Sequence, residues 1–258
     1  MTTALVTGAS AGIGHEFARQ LAERGHDVVL VARDRVRLEN VSDELRRAYR
    51  VRAEVLVADL SDRTQMEKVA QRLSDAARPI DLLVNNAGYG QRKGFLANEV
   101  EQEENALDLM CTAVLVLTHA AARSMKARGR GGIINVSSVA SYAAMGTYSA
   151  AKAWVRFFSE GLAQELHGSG VTVMALCPGF THTEFHDRGK LNMSHLPEFM
   201  WLEAPAMVRQ ALDDAAVGKV VSVPGAQYKT LVGLMSATPR GLVRNASATL
   251  HRRRRTKG

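Results

Sequence analysis

Tyr148-Ser149-Ala150-Ala151-Lys152 places a phenol and an ammonium four residues apart. In a helix, positions i and i+4 share one face, so both groups can point into one cleft. A free tyrosine has a pKa of about 10 and is a poor acid or base near neutrality. A fixed positive charge nearby favours the phenolate and lowers that value. A drop to about 7 would correspond to roughly 4 kcal/mol of differential interaction. Such a tyrosine could exchange a proton with a substrate at neutral pH. Any amphipathic helix can carry this spacing, so the pair gains meaning only from its company.

That company begins at the amino end. Thr3 to Thr7 reads as a short apolar strand. Gly8-Ala9-Ser10-Ala11-Gly12-Ile13-Gly14 follows, and then a helical pattern runs to Arg24, with Phe17, Ala18, Leu21 and Ala22 on one face and Gly25 as its stop. Strand, glycine turn and helix form a phosphate-binding unit, in which bare backbone approaches a pyrophosphate resting on the helix amino end. The same turn without a ligand is the plainer alternative. A second strand, Asp27 to Ala32, ends at Arg33. An acidic residue there would take a free ribose 2′-hydroxyl, whereas a guanidinium matches a 2′-phosphate, so the chain favours NADP(H) over NAD(H). Ser10 offers a further hydrogen bond from the turn.

Further strands read at Val51–Ala58, Ile80–Val84, Gly132–Ser138 and Val171–Cys177, each separated by a helical pattern. Alternation continues to Val223 without a linker-like tract or an internal repeat. The expected fold is α/β: a single-domain, Rossmann-type, doubly wound parallel sheet of about seven strands over residues 1–240, with a basic tail at 241–258.

Thr7 to Gly14, Asn85-Asn86-Ala87-Gly88, Ser138, Tyr148-x-x-x-Lys152 and Pro178-Gly179 occur in that order. The set resembles the short-chain dehydrogenase/reductase family in its compact branch, from about Thr3 to Thr183. The resemblance implies that Ser138 hydrogen-bonds a substrate carbonyl, Tyr148 is the proton donor or acceptor, and Lys152 lowers the tyrosine pKa and binds the nicotinamide ribose. It implies that Gly8, Ser10, Ala11, Gly12, Ile13 and Gly14 cradle the pyrophosphate. Asp59 and Leu60 would meet the adenine, although Asp59 could equally cap the following helix. Asn86, Ala87 and Gly88 would line the ribose or support the sheet. Pro178, Gly179, Thr181 and Thr183 would lie at the nicotinamide, with Thr183 on its carboxamide. Tyr148 follows Ser138 by only ten positions, which shortens the rim of the mouth.

One departure stands out. Relatives usually carry an asparagine in the long helix before the serine strand, where it helps order water leading from the lysine. Met110 occupies that place here, and a thioether cannot take over the hydrogen bonds. Asn105 lies about 140° away round a regular helix, and Thr112 offers a hydroxyl from another angle. Either the relay is rearranged or turnover is slow. The implied activity is hydride transfer between NADPH and a ketone or secondary alcohol; the alternative is an NADP(H)-binding sensor or scaffold with little catalysis.

The net charge of +7 is concentrated at one end. Residues 219–258 hold nine Lys or Arg and no Asp or Glu, leaving 24 bases against 26 acids elsewhere. The run Arg252-Arg253-Arg254-Arg255, with Leu231, Leu234, Met235, Leu242 and Val243 nearby, admits either a solubilising end or weak binding to an anionic membrane. Nucleic-acid binding does not fit a slightly acidic body. No run of 18 apolar residues suggests a spanning helix, and the start does not read as a signal peptide. Cys111 and Cys177 sit in apolar runs and read as buried free thiols in a cytoplasmic protein. His182 and His186 lack a third ligand at metal-binding spacing, so no metal is expected. Residues Phe185 to Glu203, with Trp201, should cover the mouth; their apolar character suits an apolar substrate or the packing of a lid helix. A homodimer or homotetramer would pair through helices near 98–128 and 147–167, where Ala120, Ala121 and Ala122 permit close approach.

Overall fold

The computed structural model describes residues 2–90, 94–184, 197–239 and 241–242. His186, most of the expected lid (185–196), Val243 and the arginine run lie outside the described residues. Seven strands are present: β1 (Thr3–Thr7), β2 (Asp27–Ala32), β3 (Ala53–Val57), β4 (Leu82–Asn85), β5 (Gly131–Val136), β6 (Val171–Leu176) and β7 (Val221–Ser222). All pair in parallel, in the order β3-β2-β1-β4-β5-β6-β7. The reversal of order falls between β1 and β4, where a crevice opens at the carboxyl ends of the strands.

The strands are nearly continuous apolar runs because helices cover both faces. On one face lie α1 (Gly12–Glu23), α2 (Arg35–Tyr49) and α7 (Ala204–Ala216), contributing Phe17, Leu21, Leu38, Leu45, Val208 and Leu212. On the other lie α3 (Arg63–Ser74) and α5 (Ala113–Arg128), with Met66, Leu73, Leu117 and Met125; α6 (Gly146–Glu165) packs beside them through Leu162. Each fully buried Leu or Phe contributes about 1.5–3 kcal/mol. Ala121 and Ala122 are buried in this layer, so they serve the chain's own core rather than a face for a second copy. The outward apolar residues of α5 and α6 are instead Leu115, Trp154 and Phe157.

The long helix expected over 98–128 is interrupted. α4 (Val100–Leu107) runs into a wide π turn at Asp108–Thr112 before α5 begins. Such turns insert an extra residue and recur at functional sites. The stretch Val100–Arg128 is long and apolar enough to cross a bilayer, yet half of its most apolar window is buried inside the protein. Its apolarity is that of a core helix. The last helix described at length is α8 (Ala226–Ala237), which buries Tyr228.

A buried polar network pins the middle of the sheet. Asn135 Oδ1 accepts from Asn85 Nδ2 at 2.9 Å and Thr118 Oγ1 at 3.3 Å, while its Nδ2 donates to Ser159 Oγ at 3.0 Å. It joins β4, β5, α5 and α6, and all four side chains are buried. Asn135→Ala should therefore destabilise the protein by about 3 kcal/mol, read as a shift in the urea unfolding midpoint. A shift worth less than about 1 kcal/mol would mean the network contributes little.

Candidate active site

Lys152 is buried in the second turn of α6, and its Nζ donates to the Val136 carbonyl at 2.8 Å. Its own carbonyl accepts from Ser137 Oγ at 2.6 Å. Side chain and backbone together clamp α6 to the end of β5. The ammonium lies 5.9 Å from the centre of the Tyr148 ring. Ser138, two residues beyond β5, hydrogen-bonds the tyrosine through its side chain and accepts from Ala140 N at 3.1 Å. Ser138, Tyr148 and Lys152 are thus brought together as the sequence spacing requires.

Their electrostatics differ from expectation. Burial pushes the Tyr148 phenol up to about 12, and the Ser138 hydrogen bond only partly offsets it. Burial also brings Lys152 down to about 8, against the opposing pull of Cys111 and Cys177. In the protein alone the phenol is therefore raised and not lowered, with desolvation of the phenolate as the largest cause. The phenol keeps its proton at neutral pH.

The glycine turn is built for close backbone approach. Gly8 and Gly12 have φ of 67° and 57°, which favour glycine. A Cβ at Gly14 would lie 2.3 Å from the Gly8 carbonyl oxygen. Helices α2 and α3 are capped by Asp34 and Asp62, whose side chains accept from Arg37 N and Gln65 N. By contrast, α1 begins after Ala11 with no side-chain cap and no acidic residue in its first turn. Uncapped amides surrounded by Gly, Ala and Ser suit a diphosphate. Ile13 meanwhile packs into the core and fixes the turn from below.

Asn86 braces this turn rather than hanging free. Its Nδ2 donates to the Thr7 carbonyl at 3.0 Å, while Asn86 N and Ala87 N both donate to Thr7 Oγ1. Arg33 is largely exposed, and its guanidinium comes within 3.6 Å of Asp59. Burial opposes ionisation of Asp59, but bonds from Ser61 and the Arg33 charge outweigh it and hold the carboxyl below its ordinary range. Asp59 also accepts from Ser61 N at 2.9 Å, which closes a local turn; the cap of α3 is Asp62 and not Asp59, and Leu60 is buried behind it. After β6, the Pro178 carbonyl accepts from Val139 N at 3.0 Å, tying this turn to the Ser138 loop. Thr181 turns inward and donates to the Gly179 carbonyl, whereas Thr183 packs over Gly12, 3.2 Å from where a Cβ would stand.

Met110 does face the site. A Cβ at Gly88 would be 3.7 Å from both Lys152 Nζ and Met110 Cγ. Neither suggested substitute replaces the missing amide: Asn105 is exposed on the outer side of α4, and the Thr112 hydroxyl is bonded to Asp108. The Cys111 thiol is only half buried, unlike Cys177. His182 stacks on Trp201 with its Nε2 3.1 Å from Glu198, and no group of three potential metal ligands exists among the described residues.

Two contributors carried no recognisable motif. Tyr228 fills the space beside Gly179, where a Cβ would come within 2.0 Å of its ring. Its hydroxyl accepts from Phe180 N and donates to the Met200 carbonyl, holding the Pro-Gly turn against the start of the mouth segment. Glu103 bonds Thr147, the neighbour of Tyr148.

A model of the short chain dehydrogenase family matches residues 2–192. The NADP-dependent 3-hydroxy acid dehydrogenase YdfG of Salmonella typhi is 39% identical over 189 residues, covering 70% of this chain and 73% of that protein. A solved short-chain dehydrogenase from Sphingobium yanoikuyae in complex with NADPH superposes with a TM-score of 0.84 at 39% identity, covering 93% of this chain and 96% of that one. The bulky-bulky ketone specific alcohol dehydrogenase from Comamonas testosteroni gives 0.79 at 33% identity, again covering 93% and 96%. With an uncapped glycine turn, a Ser138–Tyr148–Lys152 cluster at the strand ends and a family match across most of its length, this chain is a short-chain dehydrogenase.

Proposed function

We propose that the protein is an NADP(H)-dependent carbonyl reductase, reversibly an alcohol dehydrogenase. The observation that carries this reading is the buried Tyr148 phenol, bonded to Ser138 with the Lys152 ammonium 5.9 Å from its ring. When bound, NADPH supplies the hydride. Ser138 holds the carbonyl oxygen of the substrate, and Tyr148 gives that oxygen a proton as the alcohol forms. Lys152, still charged at pH 7, stabilises the phenolate left behind. Gly8, Ser10, Ala11, Gly12, Ile13 and Gly14 receive the diphosphate, Arg33 the 2′-phosphate, and Asp59 with Leu60 the adenine. Asn86, Ala87 and Gly88 line the ribose beside Lys152, while Pro178, Gly179, Thr181 and Thr183 border the nicotinamide.

The preference for NADP(H) rests on Arg33 and draws support from the names of the Salmonella and Sphingobium relatives. An apolar, bulky ketone is the preferred substrate class. Phe199 is exposed in the segment at the mouth, and the Comamonas relative is named for bulky ketones. A homodimer through Leu115, Trp154 and Phe157 is the assembly that these exposed residues favour. Two free thiols accord with a reducing, cytoplasmic setting. The Met110 thioether beside Lys152 favours one second reading, a sensor that binds NADP(H) without turning over.

NADPH oxidation against ketones of graded size, with NADH run in parallel, separates these readings. Turnover with NADPH supports the reductase; micromolar NADPH binding without turnover of any ketone supports the sensor. Tyr148→Phe should lower kcat by about a thousandfold, leaving the NADPH Kd unchanged. A mutant at the wild-type rate would remove Tyr148 from its role. Arg33→Ala should weaken NADPH binding roughly tenfold with little effect on NADH; equal losses for both would refute recognition of the 2′-phosphate.

The raised phenol pKa sets the sign of the pH dependence. Reduction needs the protonated phenol, which is the resting form throughout the neutral range. Alcohol oxidation needs the phenolate, whose small population grows about tenfold per pH unit below the pKa. Between pH 6 and 7, where Lys152 remains largely charged, kcat/KM for oxidation should climb while that for reduction stays nearly level. Oxidation that slows as pH rises through this window would contradict the assignment.

A further inference from the structure

We infer that Glu103 is a positioning residue of this site: its buried carboxylate latches the first turn of α6 and so fixes where Tyr148 stands. Glu103 is 5% exposed on α4, a depth at which carboxylates are rare unless bonded. Its Oε2 accepts from Thr147 Oγ1 at 2.6 Å, and its Oε1 accepts from Asn98 Nδ2 at 2.5 Å. Thr147 immediately precedes Tyr148. No side chain caps α6 at Met145, so a carboxylate near its amino end is also favoured by the helix dipole. The same carboxylate reaches the far side of the crevice: burial first, and then the Glu103 charge, raises the Tyr89 phenol just after the Asn-Asn-Ala-Gly turn. One group therefore bonds both the segment leading into α4 and the start of α6.

The packing continues the latch. Ala106 and Met110, three and seven residues beyond Glu103, are buried against Ala151, with Tyr148 packed on the same cluster. The apolar contact holds α4 and the wide turn against α6 but does not fix its axial position, because apolar surfaces slide. The directional bonds of Glu103 supply that register. A displacement of about 1 Å at a reacting group can cost a hundredfold in rate, so the latch acts on turnover through the placement of Tyr148.

The test uses Glu103→Ala, Glu103→Gln and Thr147→Val in the full chain. Glutamine keeps both bonds, accepting from Asn98 and donating to Thr147, so it should rescue what alanine loses. In amide hydrogen exchange, Glu103→Ala should speed residues 146–152 by about tenfold or more while β1 and β2 keep wild-type protection; Glu103→Gln should match wild type. This arm does not depend on the reductase reading. The kinetic arm rests on that reading: Glu103→Ala should lower kcat roughly 10- to 100-fold with the NADPH Kd nearly unmoved, and adding Thr147→Val should cost little more. Wild-type exchange and kcat in Glu103→Ala would overturn the inference. So would equal impairment of the alanine and glutamine variants, or faster exchange spread evenly over the chain. A wild-type protein without turnover would refute the proposed function, leaving the exchange arm to decide the latch.

Discussion

Lys152 is tied to the end of β5 twice, by its ammonium to the Val136 carbonyl and by its carbonyl to the Ser137 hydroxyl. A buried charge is tolerable only with such partners. Bringing its pKa down to about 8 corresponds to roughly 3 kcal/mol against the charged form, so the strand end must hold it tightly. This constraint sets the axial position of α6 against the sheet. Tyr148 lies one turn earlier on that helix, and Ser138 one residue beyond the strand anchor. The geometry of the three groups thus rests on this anchor to the sheet, together with the bond from Thr147 to Glu103 on the first turn of the same helix.

The other half of the crevice rests on side chains that brace backbone. Thr7 and Asn86 tie the end of β1 to the turn after β4, and Gly14 fits against Gly8 with no room for a methyl group. The Asn85–Thr118–Asn135–Ser159 network holds β4, β5, α5 and α6 in register from within the core. These bonds leave the amino end of α1 free of any side-chain cap, which is what a diphosphate requires. Rigidity and vacancy of hydrogen-bonding capacity come from the same arrangement.

The polar groups of the crevice sit in apolar surroundings. Met110 reaches the neighbourhood of Lys152 through the wide turn at Asp108–Thr112, where a hydrogen-bonding side chain would have shared the ammonium. Desolvation then governs both ionisable groups, raising the phenol and lowering the amine. At neutral pH the tyrosine is therefore protonated and the lysine largely charged.

Much of this was written in local pattern. Apolar strands alternating with amphipathic helices determined the α/β class, the parallel sheet and its seven strands, because backbone period and burial leave few alternatives. The ordered motifs identified which residues gather at the strand ends. The sequence could not assign what depends on distant neighbours. Of the alanines read as permitting close approach of a second copy, Ala121 and Ala122 are core and Ala120 is half-buried, since only packing decides which side of a helix is covered. The lysine read as the controller of the tyrosine, but burial proved the larger effect. Glu103 and Tyr228 belong to no motif, and their roles exist only because tertiary contacts bring them to Thr147 and Gly179. Local spacing determined which chemistry was available; the depth at which the fold placed each group decided its charge, because desolvation is a property of the whole surroundings and not of the segment.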